Sequence, residues 1–327
     1  IYRLGPLVLN ILGIGTAVGQ TAITDAEARV FAAGASSLIA GETRRSVLSR
    51  DYLDGTGNSD IDAVKIPGNQ SPTDLGVMAA QAAIADAGIS VEQIGLVIGD
   101  CSTPWQTTPS EGQRVADRLG LKVPAYDLGG GGIVPQQLAS LSRWRADRVP
   151  EYTLLVSVST PTSRINFRAG GEERWHFGDG ASACVVSSKH TGKLTVLDAE
   201  SAFLGGAGKS LVIDQFNPVT ADLTALRNRI ESSTSDAVGR VVFKHKAHGP
   251  HVALAVGEAG VEMAARIASG HSISRFASTF SDNGHLLTAG CFLAFEKLRE
   301  TLKRGDKVIF AQTVPGFVAG FAVCEVN

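Results

Sequence analysis

YDLGGGGIVPQQLASLSRWRADRVPEYTLLVSVSTP, residues 126–161, sets four consecutive glycines between a short apolar run and a helix-like one, then closes with a β-branched strand. Bare backbone of this kind serves one of two ends. It forms a phosphate cradle, where glycine amides and a helix N-terminus hold an anion, or a sharp strand-to-helix turn that displays a nucleophile. No Lys-Ser or Lys-Thr pair follows the glycines, so the turn explains their place better than a P-loop does. The same plan returns in GCFLAFEKLRETLKRGDKVIFAQTVPG, residues 290–316: an amphipathic helix, a basic end, a short turn, a strand and a Pro-containing loop. Each copy follows a glycine-bearing elbow, DLGGGG in one and SDNGHL in the other.

A second pair extends the duplication. ISVEQIGLVIGDCSTP (89–104) and SDAVGRVVFKHKAHGP (235–250) both read as a polar lead-in, a strand, and a loop rich in reactive residue types. Two halves, 1–189 and 190–327, are therefore expected to bring loops and helix N-termini to one central cleft. Strand-sized runs alternate with alanine-rich helical runs throughout, which argues an α/β architecture. One helix is well marked from Ser71, with Pro72 at its first position, Leu75, Met78 and Ala82 on one face, and Gly88 past its end.

Composition excludes several functional classes. With 327 residues, 44% hydrophobic and 19% charged, the chain has the make-up of a globular protein large enough for two cores. Thirty basic and 32 acidic residues leave a net charge of −2 with no long single-sign block, so no nucleic-acid footprint is indicated. No apolar run approaches the roughly 20 residues of a spanning helix, and no membrane association or leader segment is expected. Cys101, Cys184, Cys291 and Cys324 are far apart and show no CxxC spacing, which fits a reducing cytoplasm and excludes a zinc knuckle. GIGTAVG (13–19) lacks the spacing and the following acid of a dinucleotide turn. His245, His248 and His251 form an HxxHxxH run, but it carries Lys244 and Lys246 and no acidic ligand, so no metal is expected there.

The order ADAGISVEQIGLVIGD, PSEGQRVADRLGL, PAYDLGGGG, FGDGASACVV, VVFKHKAH, NGHLLTAG and GDKVIFAQTVPGFVAGFAV resembles beta-ketoacyl carrier-protein synthase III, within the thiolase superfamily. The likeness runs over nearly the whole chain, and FGDGA and GDKV…PGF are its most specific pieces. It implies a thiolase-like αβαβα sandwich built from two similar halves, usually dimeric, that moves acyl groups from coenzyme A or carrier-protein thioesters. No further cofactor is implied, and the partner is an acyl-CoA or acyl carrier protein, with a second copy or a homologous synthase completing a dimer.

Carried over residue by residue, the resemblance departs from the family at its centre. The catalytic cysteine falls on Gly132, or on Gly131 when counted from the following strand, and glycine offers no atom to attack with. The neighbours Ile133, Val134 and Pro135 also differ. The family histidine, at a strand end, matches His245, and its asparagine partner falls on His285, with Asn283 in the small turn before it. One oxyanion donor comes from a glycine run that here reads VPGF, placing Pro315, which has no N–H, beside Gly316. Lys244, Lys246 and His248 form a basic rim suited to a phosphate of coenzyme A or a carrier protein, and Cys101 is a candidate substitute nucleophile or substrate contact. Three functions fit this pattern: an acyltransferase with altered chemistry in fatty acid or polyketide-type biosynthesis, a non-catalytic partner of an active synthase, or an engineered Cys-to-Gly form of an ordinary condensing enzyme.

Overall fold

The computed structural model describes residues 7–24, 27, 44–47, 70–129, 133–164, 176–203, 211–212, 220–257, 259–314 and 318–327. Five strands of a ten-stranded sheet precede the turn at residue 190: β1 (Leu9–Val18), β2 (Ile94–Cys101), β3 (Ala125–Asp127), β4 (Tyr152–Ser159) and β5 (Gly180–Ser187). The other five strands of that sheet follow it: β6 (Leu194–Phe203), β7 (Gly249–Val256), β8 (Ile273–Ser278), β9 (Lys307–Val314) and β10 (Val318–Val326). The strand order is β8-β7-β9-β10-β6-β1-β5-β4-β2-β3. Read outward from the centre, each set of five runs in the same order, first, fifth, fourth, second, third. The pairing senses match as well, with β2 parallel to β3 and β4, β7 parallel to β8 and β9, and the remaining pairs antiparallel.

Helices fill three layers. Outside the first set lie α1 (Pro72–Ala87) and α2 (Glu111–Arg118); outside the second lie α4 (Leu223–His245) and α5 (Val261–Gly270). Between the sets lie α3 (Val134–Leu141) and α7 (Gly290–Glu296), with the single turn α6 (Phe280–Asn283) leading into the latter. The cores record the layering. Val115 of α2 packs with Val97, Cys101 and Val156, whereas Leu138 of α3 and Phe292 of α7 share one core with Ile98 and Leu155 of the first half and Phe310 and Ala255 of the second. Val241 of α4 and Ile267 of α5 join Leu254 and Ile309 in a third core. This is the αβαβα sandwich.

Local chemistry explains the best-marked helix. The Ser71 hydroxyl accepts the Asp74 amide while the Asp74 carboxylate takes the Ser71 amide, Pro72 opens the helix, and Gly88 closes it at φ 67°. Its buried face is one step away from the one expected. Leu75, Ala79, Ala80, Ala83 and Ile84 face inward, while Met78 is 48% exposed. The cause lies in β1. A Cβ at Gly13 or Gly15 would overlap the backbone of Ala83 or Ala79, so the GIGTAVG glycines let a small-residue helix face lie directly on the strand.

The second expected repeat is corrected. SDAVGRVVFKH does not form a strand; it ends the 23-residue α4, and the strand equivalent to β2 is β7, GPHVALAV. The helix wins because Leu226, Ile230, Thr234, Ala237 and Val241 recur at three- to four-residue steps and are all buried.

Candidate active site at the top of the middle layer

β2 and β4 end at Cys101 and Ser159, β7 and β9 at Val256 and Val314, and Leu128 ahead of α3 and Gly290 at the start of α7 lie at this same end. The second elbow is fully described. Gly284, at φ 75°, turns the chain so that His285 pairs with Phe177 of the FGDGA segment. The His285 amide donates to the His176 carbonyl at 2.9 Å, and the Gly178 amide donates back to the His285 carbonyl at 3.2 Å. Asp179 holds the first-half side of this contact by accepting the Thr162 amide at 3.0 Å and the Thr162 hydroxyl. FGDGA and NGHL are thus the two faces of one joint between the halves.

His285 is fully buried against His176 and Phe177. Burial pushes its pKa down to about 3, so the ring is neutral at pH 7. Nδ1 accepts the Leu287 amide at 3.1 Å, which leaves the ring proton on Nε2. That Nε2–H has no hydrogen-bond partner among the described residues. It is a fixed, neutral donor. The loop beyond is held by Gln312, whose Nε2 donates to the Leu287 carbonyl and whose Oε1 accepts the Cys291 amide at 3.0 Å. Leu287 sits at φ 49°, a left-handed conformation that costs a non-glycine residue about 1–3 kcal/mol. A hydroxyl chain links this loop to the first half: Thr288 Oγ1 lies 2.6 Å from Ser159 Oγ, which lies 3.0 Å from Ser102 Oγ.

Other expected site residues fall elsewhere. His245 is the last residue of α4, not a strand end, and its Nε2 lies 2.9 Å from Asp198 of β6. Its carbonyl accepts Lys307 Nζ at 3.1 Å, at the start of β9, whereas the His285 loop is clamped by Gln312 near the end of β9. Five residues of strand separate those anchors by about 17 Å. The structure does not bring His245 and His285 together. Lys244 bonds Asp198 at 2.6 Å and Glu200 at 3.0 Å, Lys246 caps α4 at φ 47°, and His248 is exposed, so the basic rim lies at the same far end. Gly132, Pro315 and Gly316 lie outside the described residues.

Cys101 points away from the elbow. Alternation along β2 puts Leu96 and Ile98 in the middle core and Val97 and Cys101 in the outer one. Burial, with the nearby Glu111, Asp100 and Asp127 carboxylates, pushes its thiol well above the ordinary range. The residue that faces the middle layer is its neighbour Asp100, 2% exposed, which the residue-type reading passed over. All four cysteines are buried. Among the described residues no His/Cys/Asp/Glu group is arranged to hold a metal, and no helix is long and apolar enough to cross a membrane.

Two mirrored five-stranded sets enclosing a pair of helices, with strand ends meeting at one end, define a thiolase-like architecture. The particular likeness is to beta-ketoacyl-[acyl-carrier-protein] synthase III. The Paracoccus denitrificans protein of that name is 38% identical over 123 residues, 37% of this chain and 38% of its own length. The chain therefore spans well under half of that curated relative in the matched segment. Over the whole fold, 3-oxoacyl-[acyl-carrier-protein] synthase III from Aquifex aeolicus superposes with a TM-score of 0.77 at 17% identity, covering 97% of this chain and 99% of the other. The Pseudomonas aeruginosa synthase III gives 0.75 at 20% identity, covering 98% of each. No family model matches the chain.

Proposed function

We propose that this chain is a synthase III-type acyltransferase that takes acyl groups from coenzyme A or carrier-protein thioesters, in fatty acid or polyketide-type biosynthesis, without a cysteine acyl-enzyme. The observation that carries the reading is the buried His285 Nε2–H, a neutral donor with no partner among the described residues, in the loop where the family's asparagine falls. A thioester carbonyl placed against it gains a preorganised hydrogen bond as negative charge develops on the oxygen, an effect worth about 10²–10³ in rate for one such donor. Because the ring stays neutral far below pH 7, it acts as a donor and not as an acid. No cofactor enters beyond the coenzyme A or phosphopantetheine arm of the thioester itself. The protein acts in the cytoplasm as a homodimer or paired with a homologous synthase.

A second reading, a non-catalytic partner subunit, is favoured by glycine at the nucleophile position together with the burial of all four cysteines. Incubation with octanoyl-coenzyme A separates the two. Coenzyme A release with no mass added to the protein supports direct transfer. Thermal stabilisation without release supports the partner subunit. A stable acyl adduct on the chain overturns the cysteine-free reaction.

A further inference from the structure

The middle-facing side of the first-half strands is aliphatic over most of its length, with Leu96, Ile98 and Leu155 in the central core. Near the top it changes character. Asp100 of β2, Ser157 of β4, Ser182 of β5 and Thr16 of β1 lie in direct register, each opposite the next, and form a polar belt across four strands. Asp100, Ser157 and Ser182 are buried. One step closer to the strand ends on the same face come Ser102 and Ser159, which lead by way of Thr288 to the His285 loop. On the other side lies Leu128, whose amide donates to the carbonyl of Gly99, the residue before Asp100.

The oxygens on this face without a hydrogen-bond partner among the described residues include Oδ2 of Asp100 and Oε1 of Gln137, which can only accept, beside the Ser182 hydroxyl, which can accept or donate. Gln137 is fully buried in the first turns of α3, and its Nε2 donates to the carbonyls of Ile98 and Val156, which fixes the amide with its oxygen left over. Buried acceptors left unpaired are costly and mark a place where a donor belongs. An enolate or a malonyl carboxylate brings negative charge and no donor, so acceptor oxygens oppose it. A hydroxyl or an amine brings the N–H or O–H that is missing.

We propose that Asp100 is the proton acceptor for an incoming hydroxyl or amine, so that the acyl group passes directly from the thioester to oxygen or nitrogen. The inference rests on the reading that the chain binds acyl thioesters at the His285 end. In the step, the acceptor oxygen or nitrogen bonds to the thioester carbonyl carbon while its proton goes to the Asp100 carboxylate. The C–S bond then breaks, and the departing thiolate takes that proton from Asp100. Ester or amide and free thiol result, with no oxidant or reductant. Burial, and after it the Asp127 charge on β3, raises the Asp100 carboxyl to about 7, near the value that suits a general base at neutral pH.

The test uses octanoyl-coenzyme A with ethanolamine, which carries both acceptor types, and a non-reactive ketone thioether of coenzyme A, with a methylene between the sulfur and the octanoyl carbonyl, to measure binding. Wild-type protein is expected to bind the thioether and to form octanoyl ester or amide, followed by mass spectrometry. Asp100→Asn and Asp100→Thr are expected to bind the thioether as well as wild type, keep its thermal midpoint within a few degrees, and lose about a hundredfold or more of the transfer rate. Cys101→Ala, on the opposite face of β2, is expected to keep that rate. Transfer by both Asp100 variants within threefold of wild type overturns the inference and leaves the thioester reading standing. So does a wild type that binds the thioether yet makes neither ester nor amide. Failure of the wild type to bind the thioether at all overturns the thioester reading, and the inference with it.

Discussion

Replacing Gln312 by leucine probes how the second elbow is held. The side chain is 1% exposed and of similar volume to leucine, so packing changes little while two hydrogen bonds are lost. The Leu287 carbonyl and the Cys291 amide both become buried and unpaired. Each such group costs about 1–3 kcal/mol, so Gln312→Leu is expected to destabilise the protein by about 2–6 kcal/mol. With about 2.1 cal/mol/K of unfolding entropy per residue, or about 0.7 kcal/mol per degree for 327 residues, the midpoint falls by about 3–9 °C. Glutamate at 312 sharpens the test. Its protonated form keeps a donor for Leu287 and an acceptor for Cys291, whereas its ionised form turns a buried charge on a carbonyl. The folded-state pKa then lies above the unfolded value of about 4.3, so stability is full below that pH and falls as pH rises toward the folded value. Circular-dichroism melts of both variants at pH 5 and pH 8 read this out. A leucine variant within 1 °C of wild type, or a glutamate variant equally stable at both pH values, refutes the clamp.

His285→Ala is expected to lower coenzyme A release from octanoyl-coenzyme A by about 10²–10³, by removal of one oxyanion donor, whereas His245→Ala leaves release unchanged and costs about 0.5–1 kcal/mol for the partly exposed Asp198 contact; steady-state rates beside thermal midpoints separate them. Acid titration is expected to destabilise the protein through Asp86, where burial raises the carboxyl but bonds from Lys193, the Ile14 amide and Arg299 outweigh it and leave its pKa below the ordinary value. Its contribution is present above about pH 4 and disappears as pH falls through the depressed folded value, so Asp86→Asn is expected to flatten the loss of midpoint between pH 5 and pH 3.

Much of this was legible from residue order, for reasons that are local. Ser71-Pro72 and Gly88 fix the ends of α1 through capping chemistry, and the repeat of α3–β4 in α7–β9 shows because both copies keep a glycine elbow, a helix and a buried strand. The reading failed where tertiary register decides. VVFKH has β-branched residues suited to a strand, and only the longer spacing from Leu226 to Val241 reveals the helix, so His245 was carried to the wrong end of the sandwich. Asp100 and Cys101 are neighbours in the chain, yet pleat alternation sends one to the middle layer and the other to the outer core. The Nε2–H of His285 depends on one amide, that of Leu287, meeting Nδ1, which no spacing rule records.

A crystal structure with the ketone thioether of coenzyme A, which keeps the octanoyl carbonyl, tests the central claim most directly. The account predicts the acyl chain at the top of the middle layer, with the carbonyl oxygen at hydrogen-bond distance from His285 Nε2 and the acyl carbon on the Asp100 side. Ligand seated instead at the end of α4, against Lys244, His245 and Lys246, would contradict it.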